Sequence, residues 1–88
     1  MKLYEFCNAY NIKLELEPTN WGYSVKLEGF NGVKWQEIEH LDVEGGTTWS
    51  TFMDTTPNLA MIKLCEFISG RMLCIEGRDK FRCPQLEI

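Results

Sequence analysis

One histidine, His40, is the residue around which acid–base or metal chemistry would have to be built. Its imidazole titrates near neutral pH and is a common metal ligand, so it can serve as a general base or hold a cation. Catalysis also needs a positioned nucleophile or electrophile, and the residues near His40 supply no known arrangement. We therefore predict a solvated histidine at a strand end, no catalytic residues, and a protein that is not an enzyme. The acidic residues around His40 are Glu37, Glu39, Asp42 and Glu44.

The cysteines do not have the spacing of a metal site. Three of them recur nine residues apart, whereas zinc knuckles and ribbons need closely paired ligands, such as two cysteines separated by two residues. We therefore predict no metal and no cofactor. Cys7, Cys65 and Cys74 lie in apolar segments and are interpreted as small core residues. Cys83 lies in the polar tail and is expected to be exposed.

The Gly45-Gly46 pair does not predict a phosphate-binding loop, because Thr47-Thr48 follows it instead of a Lys-Ser or Lys-Thr pair that opens a helix. The net charge of −4 and a pI near 4.9 also repel a phosphate backbone. Nucleic acid is therefore not the expected main partner. As an alternative, a late basic segment beside Phe81 could hold a single strand. Its candidate residues are Arg71, Arg78, Lys80 and Arg82.

The first fifteen residues lack a signal-peptide apolar run, and nowhere do about 18 uncharged apolar residues follow one another. We therefore expect a soluble cytoplasmic protein with no membrane contact, in which the four cysteines are free thiols. An extracellular location would instead allow three disulfide pairings.

The aromatic residues exceed what a core of this size can enclose, so some must lie at the surface. Exposed aromatic side chains act as anchors in protein interfaces, and acidic neighbours can orient a partner. The candidate protein-binding residues are Trp35, Glu37, Glu39, Trp49 and Phe52. In the alternative interpretation, Trp21 and one other aromatic residue close the edge of the core.

Two helices that position these residues are predicted from apolar spacings of three and four. Residues 2–10 form a short helix that needs a flat apolar surface for support. Residues 57–69 form the longer helix, with a Thr55 or Thr56 cap, Pro57 in its first turn and Gly70 after its end.

Strands are predicted from alternating apolar and polar residues over 12–17 and 21–28, and a third strand over 33–41 follows an Asn-Gly turn. In that third strand the alternation breaks. Either Trp35 or Ile38 is misplaced relative to the core, unless a bulge shifts the phase.

The rest of the chain is predicted to add strands at the edges and in the middle of the sheet. Residues 47–53 are expected to form an extra short edge strand within a long loop. The apolar run 72–75 predicts a strand buried on both sides. The tail, residues 77–88, is expected to be a loop or a loose edge strand.

Together these elements predict one α+β domain spanning residues 1–88. It has a short N-terminal helix, an antiparallel β-meander of three to four strands, one packed helix and a final C-terminal strand. The element order resembles the double-stranded-RNA-binding fold. Residues 55–58, Thr-Thr-Pro-Asn, replace that family's basic helix start.

A short, acidic protein of this layout also resembles the small accessory proteins of phages and mobile elements, among them anti-CRISPR and other anti-defence inhibitors. The resemblance implies a non-enzymatic inhibitor that binds a host defence protein by direct contact, in the host cytoplasm if a phage encodes it. The expected partner is another protein, and a homodimer is left open.

Overall fold

The computed structural model describes residues 1–41, 47–49 and 52–88, with residue 41 and residues 47–49 described as backbone only. In these ranges the chain has an α+β fold. In chain order the elements are α1 (Leu3–Tyr10), β1 (Ile12–Thr19), β2 (Gly22–Phe30), β3 (Trp35–Glu37), β4 (Glu39–Leu41), β5 (Thr47–Trp49), β6 (Phe52–Asp54), α2 (Pro57–Ile68), β7 (Met72–Cys74) and β8 (Phe81–Arg82).

The first sheet is built around β2. β1 pairs with β2 along its whole length, from Ile12 opposite Gly29 to Thr19 opposite Gly22. Both β3 and β6 lie on the other side of β2, where β3 pairs with residues 28–30 and β6 with residues 23–25. A turn between the second and third strands is present as predicted and is closed by the Asn31 N–H, which donates to the Lys34 carbonyl at 3.1 Å. Gly32 takes a positive φ of +95°, whereas Asn31 does not.

The remaining strands form a second sheet with the order β5-β4-β7-β8, so the predicted single meander is in fact two sheets. The chain changes sheet at Ile38, whose N–H donates to the Leu27 carbonyl at 3.0 Å. Ile38 and His40 then point inward, while Trp35 points outward and is 39% exposed. The break in the alternation therefore marks an outward Trp35, and the strand continues in another sheet.

The helices cover the inner face of the first sheet. α1 contacts β1, and α2 contacts β2 and β6. The Thr56 hydroxyl caps α2 by accepting a hydrogen bond from the Leu59 N–H at 3.2 Å, and Pro57 follows as predicted. The largest fully buried side chains between helices and sheets are Phe6, Leu27, Ile38, Leu64, Ile68, Leu73, Val25 and Cys83.

The tail contains the edge strand that was one of the two predicted alternatives, but the expectation of an exposed Cys83 is wrong. Residues 81–82 form β8 on the edge of β7. Cys83 is only 1% exposed, because its carbonyl accepts from the Gly70 N–H at 2.9 Å and its own N–H donates to the Arg71 carbonyl at 2.8 Å. These bonds hold the chain against the end of α2. The strand predicted over 72–75 lies inside the second sheet as β7, between β4 and β8.

Candidate functional site

The hairpin tip, residues 30–35, presents the most exposed apolar side chains near the predicted binding residues. Val33 is 85% exposed and Trp35 is 39% exposed. The Trp35 ring packs against Phe30, with ring centroids 5.3 Å apart, and the Lys13 ammonium lies 4.9 Å from the Trp35 ring centroid. One face of the indole is thus supported, and the side chain remains accessible.

A hydrogen-bond network holds the hairpin tip in place. The Asn31 side-chain oxygen accepts from the N–H groups of Val33 at 2.9 Å and Lys34 at 3.0 Å. The Asn31 amide nitrogen donates to the Glu76 carbonyl at 2.9 Å, and the Arg78 guanidinium donates to the Phe30 carbonyl at 3.2 Å. The turn is therefore tied to the loop between β7 and β8. A tip fixed in this way loses little conformational freedom on binding.

The charged residues beside the hairpin tip are paired with one another across the outer face of the first sheet. Lys26 lies 2.9 Å from Glu37, and Lys13 lies 3.2 Å from Glu15 and 3.8 Å from Glu28. The hydrogen bond to Glu37 raises the pKa of Lys26, and the hydrogen bond from Lys13 lowers the pKa of Glu15. The predicted acidic residue Glu37 is thus part of an ion pair.

Residues of the predicted protein-binding site and of the predicted basic segment line the same cleft, which has a volume of about 530 Å³. Glu37 and Glu39 line it from the segment that changes sheet, and Arg78 and Lys80 line it from the loop between β7 and β8. On the other side of that loop, a second cleft of about 650 Å³ contains Arg78, Lys80 and the stacked rings of Tyr10 and Phe81, whose centroids are 5.0 Å apart. The loop carries both signs of charge.

The other two predicted basic residues serve the fold. Arg71 donates to the Phe67 carbonyl at 2.6 Å, and its guanidinium carbon lies 4.0 Å from the Phe67 ring centroid. Arg82 donates to the Gly70 carbonyl at 2.7 Å. Both side chains satisfy backbone carbonyls at the end of α2. The predicted basic segment is therefore divided between this helix end and the two clefts.

The remaining aromatic residues of the predicted patch are not together at the hairpin tip. Phe52 is half-buried against the core, with its ring centroid 5.0 Å from that of Phe67. The backbone of Trp49 pairs with Glu39 in the second sheet, and its side chain lies outside the described residues. Trp21 is 83% exposed on the turn between β1 and β2, so the alternative that it closes the core edge is wrong.

The expectation of a solvated His40 is also wrong. His40 is 6% exposed, pairs with Leu73 of β7, and its ring meets the edge of Phe67 at a centroid distance of 4.8 Å. The residue is buried because β4 lies between β5 and β7, away from the sheet edge. Its surroundings in the sequence are acidic, and only the pairing with β7 shows that its side chain lies inside.

Two of the cysteine thiols are poor nucleophiles. Burial raises the pKa of Cys65 to about 11 and that of Cys83 to about 12. A thiol is reactive as the thiolate, so both groups are inert near neutral pH. Burial also raises the pKa of Cys7. Within residues 1–41 and 52–88, no three His, Cys, Asp or Glu side chains come together as a set that could hold a metal ion.

Sequence reasoning missed two features. Val33 is the most exposed apolar residue of the hairpin tip, and its position directly after the Asn-Gly turn could have indicated this. An apolar groove of about 310 Å³ lies over Leu14 between the two helices, bordered by Tyr4, Met61 and Ile88. The alternation in β1 predicts that Leu14 faces inward, but it does not predict how much of the apolar face of this strand stays exposed.

Comparison with protein-family models, with curated proteins and with solved structures finds no match for this chain. Among the described residues, neither helix has the length and apolar character needed to cross a membrane.

Proposed function

We propose that this chain is a non-enzymatic protein-binding module that inhibits a host defence protein by direct contact. The observation that supports this most is the hairpin tip, where exposed Val33 and Trp35 stand on a turn fixed by hydrogen bonds. Aromatic anchors contribute most of the binding energy of protein interfaces. A fixed anchor also binds at a lower cost in conformational entropy.

The partner is expected to offer an apolar pocket for the indole of Trp35, with a rim of mixed charge. Glu37 and Lys26 already form an ion pair next to this residue, so a strongly basic partner would have to compete with Lys26. At longer range the net charge of −4 favours encounter with a positively charged surface. Glu37 and Glu39 would thus orient the partner, and Trp35 would hold it.

The proposed class of partner, a host defence protein, is what the resemblance to small phage and mobile-element accessory proteins, in size, acidity and α+β layout, implies. We expect expression of the chain to restore plaque formation by a phage that the defence system restricts. Trp35→Ala should abolish this protection of the phage. Trp21→Ala should retain it, because Trp21 is 83% exposed at the opposite end of the β1–β2 hairpin.

Direct binding is tested by capture on immobilised protein followed by titration of the purified partner. Trp35→Ala and Val33→Asp should each weaken binding by about tenfold or more, as expected for loss of an interface anchor. Trp21→Ala removes the same type of side chain elsewhere and should bind as the wild type does. Val33 has few contacts to lose, since it is 85% exposed. If folded Val33→Asp and Trp35→Ala both bind normally, the hairpin tip is not the binding surface.

A second candidate function uses the cleft that contains Tyr10 and Phe81. Its stacked rings beside Arg78 and Lys80 match the combination of aromatic and basic groups that holds single-stranded nucleic acid. Gel-shift titration at low and high salt separates the candidates. Binding through phosphates must weaken as salt rises, and Arg78→Ala with Lys80→Ala must reduce it. No shift at low salt would exclude this function.

A further inference from the structure

β1 is an edge strand with one side unpaired among the described residues. The Phe30 N–H donates to the Asn11 carbonyl at 3.1 Å, which places the odd-numbered residues of this segment in hydrogen bonds with β2. Because such bonds alternate along an antiparallel strand, the N–H and C=O groups of Ile12, Leu14 and Leu16 point away from β2. Pro18 fits this pattern, since it lies at an even position and has no N–H to donate.

The free edge has few of the features that block strand pairing. Proteins protect an edge with charged side chains, proline, inward-pointing charges, bulges or a covering segment. In β1 the proline, Pro18, lies near the end of the strand, and the outward-facing charges include both signs, Lys13 with Glu15 and Glu17. The inward-facing residues of β1 are apolar, and Leu16 is 41% exposed. The apolar groove lies over Leu14, and Tyr4 on its border is 66% exposed. An unpaired backbone edge and an exposed apolar surface thus meet at the same strand.

We propose that two copies of this chain pair through their β1 strands, antiparallel, around a two-fold axis at Leu14. The outward backbone groups require even-numbered residues to face even-numbered residues. Centring the pair on Lys13 would place two lysines opposite each other, and centring it on Glu15 would oppose two glutamates. Centring it on Leu14 places Lys13 of each copy opposite Glu15 of the other. Charge complementarity therefore selects one register and a second copy as the occupant.

The same register accounts for the exposed apolar surface. Leu14 of one copy meets Leu14 of the other, so the two apolar grooves join at the axis. The exposed Leu16 comes to lie opposite the buried Ile12 of the second copy, near its α1. Burial of these side chains adds a hydrophobic contribution to the backbone hydrogen bonds.

The paired strands make one continuous sheet of eight strands, because each copy contributes four. The two-fold axis is perpendicular to this sheet, so both Trp35 side chains lie on the same outer face. The dimer does not depend on the proposed function. If that function is correct, the dimer presents two binding tips to its partner and gains affinity from bivalency.

The mass of the full chain in solution tests the proposal, by analytical ultracentrifugation over a concentration series. We expect a reversible dimer in the wild type. Leu16→Pro removes an outward N–H that β2 does not use, so it should dissociate the dimer and leave the monomer folded. Leu16→Val keeps the N–H and should remain dimeric. A wild type that is monomeric up to about 1 mM would overturn the proposal.

The register has its own test. Lys13→Glu and Glu15→Lys should each weaken dimerisation by about tenfold, because two-fold symmetry applies each change twice. The double variant restores opposite charges across the axis and should regain most of the dimer. Circular dichroism checks folding, since Lys13 also contacts Glu28.

Amide hydrogen exchange in the wild type tests whether the dimer forms through β1, and it needs no variant. The Leu14 N–H should be protected in the dimer and should exchange faster on dilution. A dimer in which the Leu14 amide exchanges rapidly would contradict pairing through β1.

Discussion

Gly29 of β2 packs directly against the side chain of Ile75, which connects the two sheets. A Cβ added to Gly29 would lie 3.0 Å from Cγ1 of Ile75 and would overlap its Cδ1. Ile75 is 2% exposed and is held among the core residues, so it has little room to move. The absence of a side chain at residue 29 is therefore what lets the second sheet approach the first.

Gly29→Ala should lower the free energy of unfolding by about 1–3 kcal/mol, the usual cost of overpacking a core. Ile75→Val removes Cδ1 at a cost of about 0.5–1.5 kcal/mol. In the double variant the added methyl group occupies the space of the missing Cδ1. The total cost should then be smaller than the sum of the single costs, as measured by urea denaturation. Strictly additive costs would contradict this contact.

Local patterns predicted the elements better than their assembly. The cap at Thr56, Pro57 at the start of α2 and the Asn-Gly turn each act over a few residues, so the sequence alone indicates them. The change of sheet at Ile38 depends on β4 pairing with β7, more than thirty residues later in the chain. The alternation breaks between Trp35 and Ile38, but a bulge within one sheet would give the same break, so nothing local distinguishes one sheet from two.

The candidate site, like the fold, could be predicted only in part. The excess of aromatic residues correctly indicated that some of them lie at the surface, and Trp35 and Trp21 are both exposed. Which charges are free could not be predicted, because Glu37 pairs with Lys26 across neighbouring strands. Cys83 was misplaced for the same reason, since its burial depends on backbone bonds to residues 70 and 71.

Thiol labelling should separate the cysteines by burial. Cys65 and Cys83 are 3% and 1% exposed, and burial holds their pKa values at about 11 and about 12. The labelling is done with iodoacetamide at about pH 8, close to the pKa of an ordinary exposed thiol. Both cysteines should then remain unmodified in the native protein. Both should be labelled after denaturation in urea, as measured by peptide mass spectrometry. Labelling of native Cys83 at the rate of the unfolded chain would place it at the surface.

The cap of α2 gives a prediction on stability. Thr56→Ala removes the hydroxyl that accepts from the Leu59 N–H and should cost about 1 kcal/mol. Thr55→Ala is the comparison variant, because its hydroxyl does not cap the helix. It loses only the exposed hydrogen bond from that hydroxyl to Asp54 at 3.2 Å, and its N–H still donates to Asp54. Urea denaturation should show a larger loss for Thr56→Ala than for Thr55→Ala. Equal losses would mean that the cap does not stabilise the helix.

Asp54 should contribute to stability in a way that depends on pH. The Thr55 N–H donates to its carboxylate at 2.6 Å, and the Lys63 ammonium lies 3.1 Å away. Both interactions lower the pKa of Asp54 in the folded protein. The carboxylate's contribution is therefore complete above the unfolded value of about 3.9 and is lost as the pH falls through the folded pKa.

Asp54→Asn removes this dependence on pH, although its amide oxygen can still accept from Thr55. The wild type should be more stable than Asp54→Asn at neutral pH. The difference should shrink as the pH falls below about 4, because the carboxyl is protonated first in the unfolded chain and only at lower pH, through its lowered pKa, in the folded protein. Urea midpoints at a series of pH values measure it, with Glu5→Gln, an exposed carboxylate on α1, as the control for loss of one charge. A difference that stays constant down to the lowest pH would show that Asp54 acts through its shape and hydrogen bonds, and that its charge contributes nothing.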